Sequence, residues 1–347
     1  MNINARGKIL PLVAAGALVM GAAACGGGDD PASDLSGELS ASGASFPDAY
    51  YQAAIEGYGE VAPDVIIDYN ATGSGTGKQQ FAEGLTDFAG TDSLVEDELG
   101  ADEFYYVPTV AAPITVSYNL PDVETLQLSP DTLAQIFEAK ITSWDDAAIA
   151  EDNPDVDLPK TPITVAHRSD GSGTTSNFTG YLDKASDDWT LGAGDTVEWA
   201  SSTQGGEKNT GVASIVQGAE GGIGYVDLAD AEAAGLQTAS IQNQDGEYVQ
   251  PTLEGTTAGL EGAEVAEDLT YDPLDAAGAE TYPITAPTYV LVRAQYDDKA
   301  TADLVKGFLE YVLGDGQEIA AENSFAALPD ELREKALAQL DKIEAAG

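Results

Sequence analysis

The stretch Val165-Ala-His-Arg-Ser-Asp-Gly-Ser-Gly-Thr-Thr175 sets a rare positive charge beside a donor-rich turn. Arg168 is one of only three arginines that follow the N-terminal hydrophobic leader. The β-biased run Ile163 to Ala166 predicts the strand that delivers it. Glycines at 171 and 173 let the backbone turn tightly, and Ser172, Thr174 and Thr175 suit the N-cap and first turn of a helix through Phe178 and Tyr181. Strand, glycine turn and helix start together make an anion cradle. Exposed backbone N–H groups and the positive end of the helix dipole hold an oxyanion, and a guanidinium adds a two-pronged grip. The same residues also fit a surface αβ loop carrying a solvated arginine.

Working outward, the pattern recurs twice. Leu39-Ser-Ala-Ser-Gly-Ala-Ser-Phe-Pro47 leads into an amphipathic helix through Tyr51, Ala54, Ile55 and Tyr58, with Ser45 at the turn. The strand Val65-Ile-Ile-Asp-Tyr69 runs into the glycine-rich turn Ala71 to Lys78 before a helix from Gln79 to Gly84. A nucleotide-binding P-loop is rejected there, because Thr72 stands where that motif needs glycine and Gln79 where it needs Ser or Thr. Asp87 to Asp92 reads as a short strand ending in a carboxylate, which could equally be a turn cap. Phe104 to Leu120, with prolines at 108 and 113, reads as strands crossing to a second region. Short helices are expected over Leu133 to Ala139 and Asp145 to Ala150, around Trp144. Gln204 to Asn209 opens a helix from Val212 to Gln217, and Ile223 to Val226 is a strand. From Gln242 to Glu280 the chain reads as acidic loops with a turn at Asp245-Gly246. Tyr282 to Val292 is β-rich, and a C-terminal helix presents Leu332, Leu337, Leu340 and Ile343. Alternating strands and helices predict α/β architecture with ligands at helix N-termini, beyond the carboxyl ends of strands.

The 347 residues, 43% of them hydrophobic, suffice for two domains with real cores. Residues 1–24 carry only Arg6 and Lys8 as charges, followed by an apolar segment and small residues, which is a secretory signal peptide. Its end, Ala-Ala-Ala-Cys25, resembles the bacterial lipoprotein box, although Ala22 replaces the usual Leu; ordinary cleavage beside an incidental cysteine is the other reading. On the first reading Cys25 is lipidated and residues 25–37 are a Gly, Asp, Pro and Ser rich tether. A lone cysteine excludes an intrachain disulfide. Without the leader, 12 Lys+Arg face 60 Asp+Glu, a formal charge of about −48. That field repels nucleic acid and anionic lipid surfaces. Anion binding must therefore be local, within a Debye length of about 8 Å.

Gly43-Ala-Ser-Phe-Pro47, Gly73-Ser-Gly75 with Lys78-Gln79, Asp87-Phe-Ala-Gly-Thr-Asp92, Trp144-Asp-Asp146, Arg168-Ser-Asp-Gly-Ser-Gly-Thr174, Gly222-Ile-Gly-Tyr-Val226 and Tyr282-Pro-Ile-Thr285 stand in one order along the chain. Their order and spacing, over roughly residues 38 to 340, resemble the phosphate-binding proteins of high-affinity phosphate ABC transporters. The resemblance implies a class II periplasmic-binding-protein fold: two α/β lobes joined by two crossing strands, with the ligand cleft between them. Lobe I would comprise 38–117 plus 286–347 and lobe II 118–285, with the crossings near Ser117 to Asn119 and Thr281 to Pro287. It places phosphate contacts on Ser45, Phe46, Ser74, Asp92, Arg168, Ser172, Gly173 and Thr174, with Asp170 bracing the arginine. Ser45 stands where Thr is common, and Gly-Thr-Gly follows Ser74 in place of Ser-Gly-Gly.

The function so implied is extracytoplasmic capture of inorganic phosphate and its delivery to the transmembrane permease subunits of an ABC transporter. The protein would be a monomer held to the membrane by lipid on Cys25, without cofactor, metal or nucleic-acid partner. It would not be an enzyme. The alternatives are another oxyanion on the same fold, sulfate or molybdate, and a phosphate-ester hydrolase. Hydrolysis needs a metal-ligand set or an activated nucleophile, and His167 is the only histidine. His167 reads as a partly buried spacer on the strand, and Trp144, Trp189 and Trp199 as core.

Overall fold

A computed structural model describes residues 35–96, 99–100 and 103–346. The expected signal peptide, Cys25 and the expected tether as far as residue 34 lie outside the described residues. The principal sheet contains β1 (Gly37–Gly43), β2 (Val65–Ala71), β3 (Phe88–Thr91), β4 (Phe104–Asn119), β5 (Thr164–Arg168), β6 (Gln204–Gly206), β7 (Gly222–Asp227) and β8 (Thr285–Arg293). Their spatial order is β2-β1-β3-β8-β4-β7-β5-β6. At one end β1 lies parallel between β2 and β3, and at the other β5 lies parallel between β6 and β7. The middle strands β8 and β4 run antiparallel to their neighbours. Both parallel sets therefore end in loops that open helices: α1 (Asp48–Val61) after β1, α2 (Ser74–Ala82) after β2, α3 (Gly173–Ala185) after β5 and α4 (Lys208–Gly218) after β6. Crossover helices require this arrangement of parallel strands.

The long apolar run is one strand, and its prolines sit where a strand tolerates them. The β4–β8 register slips between Thr288 and Tyr289, opposite Pro108 and Val110, so Thr109 is bulged out beside Pro108. Pro113 is the last β4 residue paired with β8, and from Ile114 the strand pairs with β7. One strand thus serves both ends of the sheet. Trp144 and Trp189 are buried in the core, while Trp199 packs against it half-buried.

Two local expectations are corrected. α2 starts at Ser74, inside the glycine-rich turn, because burial of Ser74 and Phe81 outweighs the low helix propensity of Gly75 and Gly77. The acidic segment from 242 to 280 contains a helix, Leu253–Glu261, capped by the Thr252 hydroxyl, which accepts from the Gly255 N–H at 3.1 Å. Its two glycines and weak amphipathicity hid it. The turn at Asp245-Gly246 is present, with Gly246 at φ +84°.

Gly43 fixes how closely β1 approaches β3. It pairs with Gly90 at φ +144°, and a Cβ there would lie 2.0 Å from the Gly90 carbonyl oxygen. Gly43→Ala is expected to lower the unfolding free energy by at least about 2 kcal/mol, through strain and overpacking. Gly59 is the control. It lies in α1 with nothing within 4 Å of the point a Cβ would occupy, so Gly59→Ala should raise stability by about 0.5 to 1 kcal/mol. Denaturant titration of the two variants beside the parent checks both signs.

Candidate functional site

Arg168 ends β5 with its side chain 1% exposed, an expensive place for a charge unless it is paired. Its Nε and Nη2 donate to the two oxygens of Asp170, at 2.8 and 2.5 Å. Nη1 donates to Asn209 Oδ1 at 2.8 Å and lies 3.5 Å from the Thr174 hydroxyl. A guanidinium carries five N–H donors. Three are spent at short range, which leaves one on each terminal nitrogen for a bidentate acceptor. The Tyr225 hydroxyl accepts from the Arg168 backbone N–H at 3.1 Å and lies 2.7 Å from Thr175 Oγ1, tying the strand end to the helix start. Burial alone would raise the Asp170 pKa, but the hydrogen bonds and charge of Arg168 bring it below the usual carboxylate range.

The α3 helix is capped as its sequence predicts. Ser172 Oγ accepts from the Thr175 N–H at 3.1 Å, and the Ser172 N–H donates to the Asp195 carbonyl at 3.0 Å. Gly173 and Thr174 then present the first helical N–H groups, which have no acceptor within the helix. Gly173 must be glycine, since a Cβ there would stand 2.6 Å from Ser74 Oγ and 2.7 Å from Asp92 Cβ. Ser74 and Asp92 are themselves in contact: Ser74 Oγ accepts from the Asp92 N–H at 3.2 Å and lies 3.4 Å from Oδ2. The ends of β2, β3 and β5 therefore meet at Ser74, Asp92 and Gly173.

Asp92 is 4% exposed and accepts from the Thr288 hydroxyl at 2.7 Å. Burial pushes its pKa up to about 7, against the opposing effects of that hydrogen bond and of Arg168. Ser45 and Phe46 sit apart from this contact set. They line a cavity of about 250 Å³ with Asp48, Lys208, Asp227 and Asp230, and the buried Ser45 hydroxyl has no hydrogen-bond partner among the described residues. The link is Asn209, whose Nδ2 donates to Asp227 Oδ2 at 2.8 Å while its oxygen holds Arg168. Burial, and then the charge of Asp230, keep Asp227 well above the usual carboxylate range.

Several residues here escaped the sequence reading. Asn209 lies in a stretch read only as a helix opening. Asn177 donates to the Asp92 carbonyl at 2.5 Å and to the Gly173 carbonyl at 2.9 Å; its position four residues after Gly173 was the available signal. Thr288 gave none, since only the antiparallel pairing of β8 with β3 brings it to Asp92. His167 is half-buried, with Nδ1 2.8 Å from the Arg168 carbonyl and its ring stacked on Trp199 at 4.8 Å; burial lowers its pKa.

The PBP superfamily domain matches residues 29–316. The phosphate-binding protein PstS of Methanocaldococcus jannaschii is 37% identical over 305 residues, covering 80% of this chain and 78% of its own. That of Haemophilus influenzae is 36% identical over 298 residues, covering 84% and 89%. The crystal structure of a phosphate-binding protein from Stenotrophomonas maltophilia superposes with a TM-score of 0.68 at 22% identity, covering 87% of this chain and 94% of that one. The last likeness concerns the fold, a two-lobed periplasmic-binding-protein architecture.

The raised Asp92 pKa has a stability signature. Between about pH 4 and 7 the unfolded chain has released this proton while the folded, ligand-free chain retains it. The native state then binds more protons, so stability falls as pH rises. Relative to Asp92→Asn, the ligand-free parent is expected to lose up to about 1.4 kcal/mol per pH unit across that window. A flat difference between the two denaturation series would mean that Asp92 is ionised in the empty site.

Proposed function

The chain belongs to the PBP superfamily and to the phosphate-binding proteins within it, and we propose that it captures inorganic phosphate outside the cytoplasm and delivers it to the permease of an ABC transporter. The observation that carries this reading is the buried Arg168, held by Asp170 and Asn209, with the second Nη2 N–H unspent and the second on Nη1 only loosely engaged, 3.5 Å from the Thr174 hydroxyl. Those two donors fit two oxygens of a tetrahedral anion. The N–H groups of Gly173 and Thr174 bring the positive end of α3 to the same anion. Ser45, Ser74, Ser172 and Thr174 supply hydroxyls, and Phe46 a backbone donor. Asp170 sets the plane of the guanidinium without touching the ligand.

The lobes in this reading are 38–117 plus 286–347 and 118–285, with β4 and β8 passing between them. No catalytic step is assigned. Phosphate-ester hydrolysis finds no support in His167, whose ring is engaged by Trp199 and the Arg168 carbonyl. The protein acts as a monomer, anchored through lipid on Cys25, which lies outside the described residues. Cys25→Ser should release it from the membrane fraction into the medium; quantitative retention after fractionation would contradict the anchor.

Asp92 supplies selectivity. An ionised carboxylate accepts but cannot donate, so it pairs with a ligand that brings a proton, as HPO4 2− does. Sulfate brings none and sets two acceptors against each other in a closed site; sites that demand a ligand hydrogen bond reject analogues lacking it by about 10⁴ to 10⁵. Calorimetric titration at pH 8 should therefore show phosphate binding with negligible sulfate competition, and a smaller phosphate-to-sulfate ratio in Asp92→Asn. Below the Asp92 pKa of about 7 the protonated acid can itself donate to sulfate, so selectivity should fall with pH. Arg168→Ala should weaken phosphate at least about tenfold, roughly 1.4 kcal/mol. Comparable sulfate affinity in the parent at pH 8 would overturn the phosphate assignment, and an unchanged constant in Arg168→Ala would remove that residue from the site.

A further inference from the structure

Lys78 is 3% exposed, in a chain where cations are scarce. It lies one helical turn after Ser74 on α2, so both side chains leave the same face of the helix. Ser74 reaches Asp92 within its own lobe. The Lys78 ammonium donates to the Leu94 carbonyl at 2.9 Å and also stands 3.1 Å from Asp195 Oδ2. Asp195 belongs to the other lobe, in the segment after α3, and its backbone carbonyl accepts from the N–H of Ser172, the α3 cap. The same face of contact is tight. The Gly75 N–H donates to the Gly171 carbonyl at 3.1 Å, and a Cβ on Gly75 would stand 3.1 Å from Gly171 Cα.

Hinge opening would carry Asp195 away from Lys78 and let water into the space between them. The pair is worth most when both groups are dehydrated and close, which is the closed state only. We propose that Lys78 and Asp195 form a cross-cleft latch: positioning residues that touch no phosphate yet raise phosphate affinity by increasing the closed fraction. Apparent affinity scales with the fraction of molecules in the binding-competent state. The latch also acts where it matters for the ligand, because Asp195 anchors the Ser172 cap that presents Gly173 and Thr174. This inference rests on the phosphate reading of the site.

The test is a double-mutant cycle on the full chain, with Lys78→Met, Asp195→Asn and the double variant. Phosphate constants come from calorimetry and dissociation rates from stopped flow. Each single variant is expected to weaken phosphate binding at least about tenfold, through a faster off-rate. The double variant should lose no more than the weaker-binding single, as residues acting as a unit do. The phosphate-to-sulfate ratio should stay at the parental value, because neither residue meets the ligand; a residue in the binding shell would change it. Asp195→Asn is nearly isosteric and its side chain is 21% exposed, so it reports even if Lys78→Met folds poorly. The parent's own titration tests the phosphate reading. Unchanged constants in Asp195→Asn beside a phosphate-binding parent, or fully additive losses in the double variant, would overturn the latch and leave that reading standing.

Discussion

A guanidinium buried in a protein of formal charge −46 has to be held, and the way it is held here determines the rest. Leaving Arg168 unpaired in this position would cost several kcal/mol. Asp170 takes one edge of the group and Asn209 one further donor, at 2.5 to 2.8 Å. Engaging every one of its donors would have closed the site to anions. Leaving one Nη2 donor free and one Nη1 donor only 3.5 Å from the Thr174 hydroxyl keeps a fork of fixed orientation, and Tyr225 pins the backbone beneath it by bridging the end of β5 to the start of α3.

The acidic surface and an anion site coexist because the two act over different distances. Surface carboxylates are screened within about 8 Å at physiological ionic strength, whereas donors in a dehydrated cleft act at full strength. The carboxylates close to the site are not ordinary surface charges either. Asp170 is committed to Arg168, Asp92 is pushed up to about 7 by burial, and burial holds Asp227 well above the usual carboxylate range. Near neutral pH the interior of the site is thus less negative than its residue count suggests.

What could be read in the sequence was what is encoded locally. Ser172 as a cap and Arg168 on the preceding strand follow from a few adjacent residues, and their geometry agrees with that reading; the crowding at Gly173 comes from Ser74 and Asp92, distant in the chain, and was not part of it. The alternation of strands and helices gave the architecture for the same reason. Thr288 reaches Asp92 only through strand pairing across 196 residues, and Asn209 joins Arg168 to Asp227 across three elements. No local pattern contains such contacts. Pro108 and Pro113 suggested breaks in a run that is one continuous strand, since a bulge at Thr109 and a change of partner at Ile114 absorb them.

In the proposed reading, discrimination and affinity fall on different residues. Gly173 lets the α3 backbone approach Ser74 and Asp92 more closely than any side chain would allow. In the proposed reading a proton mismatch falls on Asp92, a carboxylate only 4% exposed, where it is poorly relieved by solvent. The energy of closure comes from elsewhere in the interface: from the Gly75 to Gly171 hydrogen bond, from Asn177 on the Asp92 carbonyl and from Lys78 opposite Asp195. These contacts are indifferent to which anion is enclosed. Strengthening them would raise the affinity for every oxyanion together, so in the proposed reading selectivity stays with the groups that meet the ligand, above all with Asp92, an acceptor set among donors.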